Sequence, residues 1–240
     1  PYEPEELPSV YEQLTSDLGF RKAAEAAFPS VPFSLLMEKM RACKTSLDIQ
    51  KMFFYPFLGT LATTRGKGLK MVNAEVLDRS HRYTFISNHR DIILDSAFLS
   101  KLLLDNGFDT TTEIAIGDNL LIYPWIERLV RINKAFIVQR EISMRQMLMS
   151  SMRLSRYMHF VINTKRDNIW IAQREGRAKD SNDRTQDSIL KMMAMGGEGS
   201  VIDRLKELHI VPLSISYEYD PCDYLKAKEF QQKRDIPGFR

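Results

Sequence analysis

The sequence predicts an α/β fold, in which a mixed, largely parallel sheet is flanked by helices and preceded by an N-terminal helical region. Helix-like apolar spacing dominates residues 8–64, whereas strand-like and helix-like segments alternate from about residue 69 onward. The change falls at Gly66-Lys67-Gly68, where two closely spaced glycines interrupt the pattern. We therefore predict a helical region at residues 1–64 and an α/β domain at residues 65–240.

Three helices are predicted in the N-terminal region. Pro8-Ser9 is typical of a helix start. A second helix, at about 32–44, has its apolar residues at i, i+3, i+4 and i+7, namely Phe33, Leu36, Met37 and Met40. The third covers about 46–62.

The remaining elements follow in an alternating order that is typical of parallel strands joined by helices. Strands are predicted at 69–72, 83–87, 113–116, 135–138, 169–172 and 210–216. Helices are predicted at 92–105, 123–130, 142–162 and 188–195. The long 142–162 helix is rich in methionine, a composition more typical of an apolar packing face or adaptable apolar surface than of a ligand site.

Composition excludes several classes of protein. With 44% hydrophobic and 27% charged residues, the 240-residue chain is neither disordered nor fibrous. A net charge of +3 without dense basic runs argues against a nucleic-acid binder and favours anionic small molecules or lipid surfaces. Two distant cysteines, Cys43 and Cys222, predict neither a disulfide framework nor a zinc site, so a cytoplasmic location is expected. The first residues lack the pattern of a signal peptide.

One apolar stretch, residues 52–64, has two interpretations. Pro56 interrupts it, and it is shorter than the roughly 20 apolar residues that a membrane-spanning helix needs. Basic residues flank it, so it could seat the protein peripherally on the inner face of a membrane. Packing of an N-terminal helix on the α/β domain is an equal alternative. The flanking residues are Lys51, Arg65, Lys67 and Lys70.

Polar residues interrupt two apolar segments at Asn88-His89-Arg90-Asp91. His89 is predicted to lie where a strand ends and a helix begins, which is where ligand sites lie in α/β sheets. An aspartate that accepts one ring N–H would make the other nitrogen a general base. Asp95 can reach His89 only if part of 89–95 is a loop, because six residues of continuous helix would turn it about 240° away. Asp91 is the alternative partner, or the cap of the following helix.

Four stretches, in order, resemble the glycerolipid acyltransferases that acylate glycerol 3-phosphate, dihydroxyacetone phosphate or 1-acylglycerol 3-phosphate, in particular the glycerol-3-phosphate and dihydroxyacetone-phosphate branch. The family's NH(R/Q)SxxD block is matched at residues 88–95, and its GxNL…GxFFIRR block at 117–120 and 134–140. Its (P)EG(T/G)RS block is matched by Glu175-Gly176-Arg177, and its VPVxIxY strand by residues 211–217. The resemblance spans about 69–220.

The sequence departs from the family pattern in three of the four blocks. Five residues separate His89 from Asp95, whereas the family has four. Gln139 replaces the first of two arginines, which leaves Arg140 alone. Arg174 stands where proline is common, and no threonine follows Gly176.

The resemblance implies transfer of an acyl chain from a thioester, acyl-CoA or acyl carrier protein, to a hydroxyl of a glycerol-3-phosphate-like acceptor in phospholipid biosynthesis. His89 would be the general base, with Asp95 as its expected partner. Neither a metal nor a bound cofactor is expected. The implied substrate-binding residues are Arg140 and Arg177 for an acceptor phosphate, Arg90 and Lys179 as further cations, and Asn119, Phe136, Glu175 and Gly176 around them.

Two alternatives remain open. The acceptor could instead be a lysolipid, either lysophosphatidate or one built on an amino acid, because a single arginine in the second block weakens the case for a phosphate. The chain could also be a non-catalytic lipid-binding protein of the same fold, for which the longer His–Asp spacing is the argument.

Overall fold

A computed structural model describes residues 1–140, 143–178 and 182–239. The N-terminal region is helical, as predicted. Its helices are α1 (Leu7–Thr15), α2 (Leu18–Ala27), α3 (Phe33–Ala42), α4 (Ser46–Ile49) and α5 (Tyr55–Thr64), with one π-helical stretch, Gln50–Phe54, joining α4 to α5. Asp17 caps α2 through the backbone N–H groups of Gly19 and Phe20, and a Thr45–Asp48 capping box starts α4.

The α/β region then follows the predicted alternation. Its strands are β1 (Thr84–Ser87), β2 (Thr112–Gly117), β3 (Ala135–Val138), β4 (Asn168–Ala172) and β5 (Ile210–Leu213). Its helices are α6 (Leu94–Asp105), α7 (Pro124–Ile132), α8 (Met144–Phe160), α9 (Asp187–Met193), α10 (Val201–Glu207) and α11 (Asp223–Asp235). The predicted start of the long helix at residues 141–142 lies outside the described residues.

The five strands form one sheet in the order β3-β2-β4-β1-β5, and every neighbouring pair is parallel. The α/β prediction is confirmed, and the sheet is more uniform than the mixed one expected. Because all strands run the same way, their carboxyl ends meet at one edge, which is where the polar motifs follow them.

The predicted first strand at residues 69–72 is wrong. These residues form an irregular segment that leads into a short 3₁₀ turn, Ala74–Val76. Gly68 ends α5 by donating its N–H to the carbonyl of Ala62, with φ at +108°. Met71 packs partly against the core, but Val72 is 68% exposed and residues 69–72 pair with none of the five strands of the sheet, so the run is not ordered as a strand.

Helices cover both faces of the sheet, as parallel strands require. On one face, Phe85 packs with Leu99 and Leu103 of α6. On the other face, the adjacent Ile86 packs with Met158 of α8 and Met193 of α9. The alternation of Phe85 and Ile86 along one strand therefore places β1 between two cores.

A third core joins the N-terminal helices to the α/β region. Leu14 of α1 and Leu36 of α3 are buried in the same cluster as Ile132 of α7. The side chain of Gln50 also donates to the carbonyl of Asn133. The division at residue 64 stays a prediction.

Among the described helices, none combines the length and apolar character needed to cross a bilayer.

Apolar residues 52–64 are divided between packing and exposure. Leu58 and Ala62 are buried, and the ring of Phe57 lies 6.0 Å from that of Phe28. Met52 and Phe57 nevertheless remain 47% and 40% exposed. The stretch therefore contributes to packing and also leaves apolar side chains exposed.

Candidate active site

The four sequence motifs converge on the edge formed by the carboxyl ends of the strands. Residues 88–93 form a loop after β1, residues 118–120 a single turn after β2, and Gln139 and Arg140 follow β3. Residues 173–177 follow β4, and residues 214–217 follow β5. The parallel sheet thus brings together residues that are far apart in the chain.

His89 and Asp95 are in direct contact. The distance from His89 Nδ1 to Asp95 Oδ2 is 2.9 Å. Helix α6 begins only at Leu94, so residues 88–93 are free to turn back and the longer His–Asp spacing does not separate the two side chains. Because Asp95 occupies Nδ1, Nε2 is the ring nitrogen that can exchange a proton with a substrate.

Asp91, the alternative partner, is used differently. Its Oδ1 accepts hydrogen bonds from the backbone N–H groups of Ile93 and Leu94 at 2.9 and 2.8 Å. These donors belong to the start of α6, where unpaired N–H groups need acceptors. Asp91 therefore caps the helix, and the contact with His89 is made by Asp95.

Asp95 is 1% exposed, and its carboxylate is surrounded by donors. Oδ2 also accepts from the backbone N–H groups of Arg90 and Asp91, at 2.7 and 3.0 Å. Oδ1 accepts from the hydroxyl of Tyr217 at 2.8 Å. Burial by itself raises the pKa of Asp95, but the hydrogen bonds from His89, Asp91, Tyr217 and Arg90 outweigh it and hold the pKa below its ordinary value. The group is therefore an anion at neutral pH.

Trp170 of β4 supports the imidazole of His89 from the side. The two rings are 5.5 Å apart with an interplanar angle of 65°. The indole Nε1 donates to Ser87 Oγ at 2.9 Å, which fixes the indole against the end of β1. The side chain of His89 remains 13% exposed, so a substrate can reach its free edge.

Arg90 is already held by carboxylates. Its Nη1 lies 3.3 Å from Asp183 Oδ2, and its Nε lies 3.3 Å from Asp220 Oδ1. Nη1 also donates to the carbonyl of Ala178 at 3.4 Å. The side chain expected to bind substrate is thus engaged in ion pairs within the protein.

Arg140 and Glu175 join the second and third motifs. Arg140 Nη1 donates to Glu175 Oε1 at 2.6 Å, and the Arg140 backbone N–H donates to Asp118 Oδ1 at 3.2 Å. Gly117 makes this approach possible, because a Cβ at that position would lie 2.5 Å from both Arg140 Nε and Asn119 Oδ1. The glycine of the second motif therefore admits two polar side chains to the end of β2.

The third motif turns at Gly176, whose φ of +69° is in the left-handed region that favours glycine. The N–H of Glu175 before it donates to Gln186 Oε1 at 2.7 Å. The half-buried Arg177 follows, on the same edge as Arg140. Lys179 lies outside the described residues.

Phe136 lies away from this edge. It is buried in the core with Met158 and Val161, and its ring lies 5.4 Å from that of Tyr157 in an edge-to-face arrangement. The position of Phe136 on β3 directs its ring into the layer under α8, and its expected role in lining the site stays a prediction.

Sequence reasoning missed two residues that organise the site. Tyr217 reaches Asp95, and the side chain of Asn88 both donates to the carbonyl of Ile215 at 2.8 Å and accepts its N–H at 2.7 Å. Both belong to the quoted motifs, so the signal was present, but spacing within a motif does not show which motif a side chain contacts. Within the described part of the chain, no group of three or more His, Cys, Asp or Glu residues is arranged to hold a metal ion.

Comparison with known proteins assigns the chain to a family. The family model described as Acyltransferase matches residues 68–216, more than half of the chain. The chain belongs to the acyltransferase family. No curated protein and no solved structure matches it significantly. Membership assigns the protein to the enzymes of acyl transfer in lipid metabolism, with an acyl donor and a lipid acceptor as substrates.

The lowered pKa of Asp95 predicts a specific acid sensitivity. Its ionised form contributes stability that is present above the ordinary carboxyl pKa of about 4 and is lost as the pH falls through the lower folded value. Asp95→Asn cannot ionise, so it lacks this contribution. We expect the difference in unfolding free energy between wild type and Asp95→Asn, measured by urea denaturation, to shrink as the pH is lowered from about 6 to about 3. A difference that is constant over this range would contradict the assignment.

Proposed function

We propose that this acyltransferase transfers a fatty acyl group from a thioester, acyl-CoA or acyl carrier protein, to a hydroxyl of a glycerol-3-phosphate-like acceptor in phospholipid biosynthesis. The 2.9 Å hydrogen bond between His89 Nδ1 and Asp95 Oδ2, at the carboxyl edge of the sheet, carries this proposal. The hydrogen bond leaves Nε2 of the partly exposed His89 imidazole able to exchange a proton with a substrate. The buried Asp95 carboxylate lies at the other ring nitrogen.

In this mechanism His89 acts as a general base. Nε2 takes the proton of the acceptor hydroxyl while the oxygen attacks the thioester carbonyl carbon. Asp95 stabilises the imidazolium that forms. The tetrahedral intermediate then expels the thiolate, and the imidazolium returns the proton to the sulfur. No covalent acyl-enzyme is needed.

Replacing His89 by alanine tests this role. We expect His89→Ala to lower kcat for acyl transfer about 10²- to 10⁴-fold, because a positioned general base contributes on that order. The measurement is transfer of a radiolabelled acyl chain from acyl-CoA, and from acyl carrier protein, to a panel of acceptors.

His81→Ala is the matched control. His81 also contacts a carboxylate, Asp78 at 3.0 Å, but it lies before β1, at the opposite edge of the sheet. Loss of activity in both variants, or in neither, would contradict the general-base assignment. A wild type without acyl transfer to any acceptor would favour the non-catalytic alternative, although the longer His–Asp spacing no longer supports it.

Arg140 and Arg177 are the proposed contacts of the acceptor phosphate. Guanidinium groups offer paired donors that match phosphate oxygens. Within the described residues, the guanidinium of Arg140 donates to one acceptor, Glu175, and it does so through Nη1. Nη2 therefore remains available to a ligand, and Arg177 lies beside the same turn. Asn119 is a further polar group at this end of the site.

The ion pairs favour a second acceptor class. Glu175 partly neutralises Arg140, while Asp183 and Asp220 neutralise Arg90. A dianionic phosphate would have to compete with these carboxylates. A lysolipid without phosphate, such as one built on an amino acid, would not. Lysophosphatidate carries a phosphate, so it belongs with the glycerol-3-phosphate-like acceptors.

Acceptor kinetics separate the two classes. If phosphate is recognised, Arg140→Met and Arg177→Met should each lower kcat/KM for glycerol 3-phosphate about 10- to 100-fold, since a charged hydrogen bond contributes about 1.5–3 kcal/mol. The kcat/KM for a phosphate-free acceptor should fall much less in the same two variants. Arg234→Met, an exposed arginine near the end of α11, is the control. Equal activity of all variants toward phosphate acceptors would rule out phosphate recognition by these arginines.

We further propose that this edge of the sheet faces a lipid surface, consistent with peripheral association on the inner face of a membrane. Apolar side chains that follow β2 and β3 are exposed there, with Ile122 at 71% and Met144 at 88%. Met147 and Leu148 continue this exposed surface along α8. Helix α8 carries three arginines and no acidic residue, a composition that suits anionic headgroups.

Vesicle binding tests this surface. We expect the triple variant Met144→Ser, Met147→Ser, Leu148→Ser to bind phosphatidylglycerol-containing vesicles more weakly than wild type in sedimentation, because it removes apolar area from the contact. The matched control is Val201→Ser with Ile202→Ser, which changes two exposed apolar residues of α10. The proposal fails if the triple variant binds as wild type does, or if the control weakens binding equally.

A further inference from the structure

The segment formed by residues 217–226 lies directly beyond the family-matched region, which ends at residue 216. We call it the C-terminal segment. It makes three polar contacts with the active-site residues. Tyr217 contacts Asp95, Asp220 contacts the side chain of Arg90, and Lys226 contacts the backbone of Arg90. Its contacts therefore fall on the part of the chain that aligns His89.

Among the described residues, Tyr217 supplies the one hydrogen bond to Asp95 that comes from outside residues 89–91. Its hydroxyl donates to Oδ1 at 2.8 Å, whereas the other three donors all point at Oδ2. Burial first, and then the Asp95 carboxylate, raise the pKa of Tyr217, so its hydroxyl keeps its proton at working pH. Tyr217 thus holds the carboxylate from the side opposite His89.

The position of Tyr217 is itself fixed by the first motif. Asn88 makes two hydrogen bonds with the backbone of Ile215, two residues before Tyr217. Asn88 directly precedes His89, so one side chain joins the end of β1 to the chain that follows β5. This link sets the distance from Tyr217 to Asp95.

Lys226 acts on the peptide between Arg90 and Asp91. Its Nζ donates to the Arg90 carbonyl at 2.6 Å and to Asp220 Oδ2 at 2.5 Å, and its side chain is only 6% exposed. The N–H of the same peptide, that of Asp91, donates to Asp95 Oδ2. The buried ammonium therefore orients and polarises a peptide whose other end holds the catalytic carboxylate.

We propose that the C-terminal segment is a positioning element of the active site, with Tyr217 and Lys226 as its positioning residues. Tyr217 fixes the Asp95 carboxylate, and Lys226 fixes the peptide that also binds it. Together they keep Oδ2 aligned with His89 Nδ1. This inference rests on the proposed function in that His89 is taken as the general base.

Two pairs of variants test the element kinetically. Tyr217→Phe removes only the hydroxyl, and Lys226→Met keeps the apolar stem. We expect each to lower kcat about 10- to 100-fold, the usual effect of losing an outer hydrogen-bond partner, with little change in KM for either substrate. Tyr224→Phe and Lys228→Met are the matched controls, because both residues are exposed and neither side chain has a hydrogen bond or ion pair with residues 88–95. Their kcat should equal that of wild type.

A spectroscopic signal separates positioning from general damage. In wild type, the His89 Nδ1 proton bonded to the buried Asp95 should give a downfield, exchange-protected proton NMR resonance. Tyr217→Phe should shift this resonance or broaden it through exchange, and should move the acidic limb of the kcat/KM pH profile. Tyr224→Phe should leave both unchanged. Circular dichroism and thermal unfolding show whether each variant has folded. If Tyr217→Phe does not fold, Lys226→Met is compared with its control Lys228→Met in the same two measurements.

The outcomes distinguish this inference from the proposed function. An unchanged kcat and an unchanged resonance in folded Tyr217→Phe and Lys226→Met overturn the positioning role while His89→Ala still tests the base. Loss through KM alone also overturns it, because it would indicate substrate binding. If wild type transfers no acyl group, the proposed function fails, and the resonance alone then decides whether the segment aligns His89 with Asp95.

Discussion

The buried carboxylate of Asp95 is the constraint on which the rest of the site depends. An anion with 1% exposure is stable only if donors replace the water it has lost. Four donors do so, and they come from the 88–93 loop and from the chain after β5. To bring its donors to Asp95, the 88–93 loop curls around the first turn of α6, and this curl places His89 at the sheet edge. The same loop conformation therefore supplies hydrogen bonds to the Asp95 carboxylate and orients the imidazole of His89.

Carboxylates also limit what the site's cations can do. Arg90 meets Asp183 and Asp220, and Arg140 meets Glu175. The Arg90 pairs are largely buried, so exchanging their partners for a ligand would leave buried charges uncompensated. The Arg140–Glu175 pair is more exposed, and its net contribution to stability is correspondingly small. An anionic acceptor is thus more easily accommodated at Arg140 than at Arg90.

The parallel sheet fixes where each motif of the site begins. Each motif is the first irregular stretch after a strand, and the register of β1 with β4 and β5 fixes where those stretches begin. Within such a stretch, one extra residue alters the loop and not the strand. The added residue between His89 and Asp95 is absorbed in this way, because regular helix starts only at Leu94.

The sequence by itself determined the local features: the N-terminal helices, the alternation of strands and helices, and the placement of His89 at a strand end. These depend on apolar periodicity over a few residues, which is visible in the chain. The failed strand at 69–72 shows the limit, since an apolar run becomes a strand only when a neighbour pairs with it. Only the tertiary structure decided that Asp95 and not Asp91 meets His89, that Phe136 packs in the core, and that Tyr217 and Lys226 reach the site. Tyr217 and Asp95 are 122 residues apart, and their contact exists because β5 lies beside β1 in the sheet.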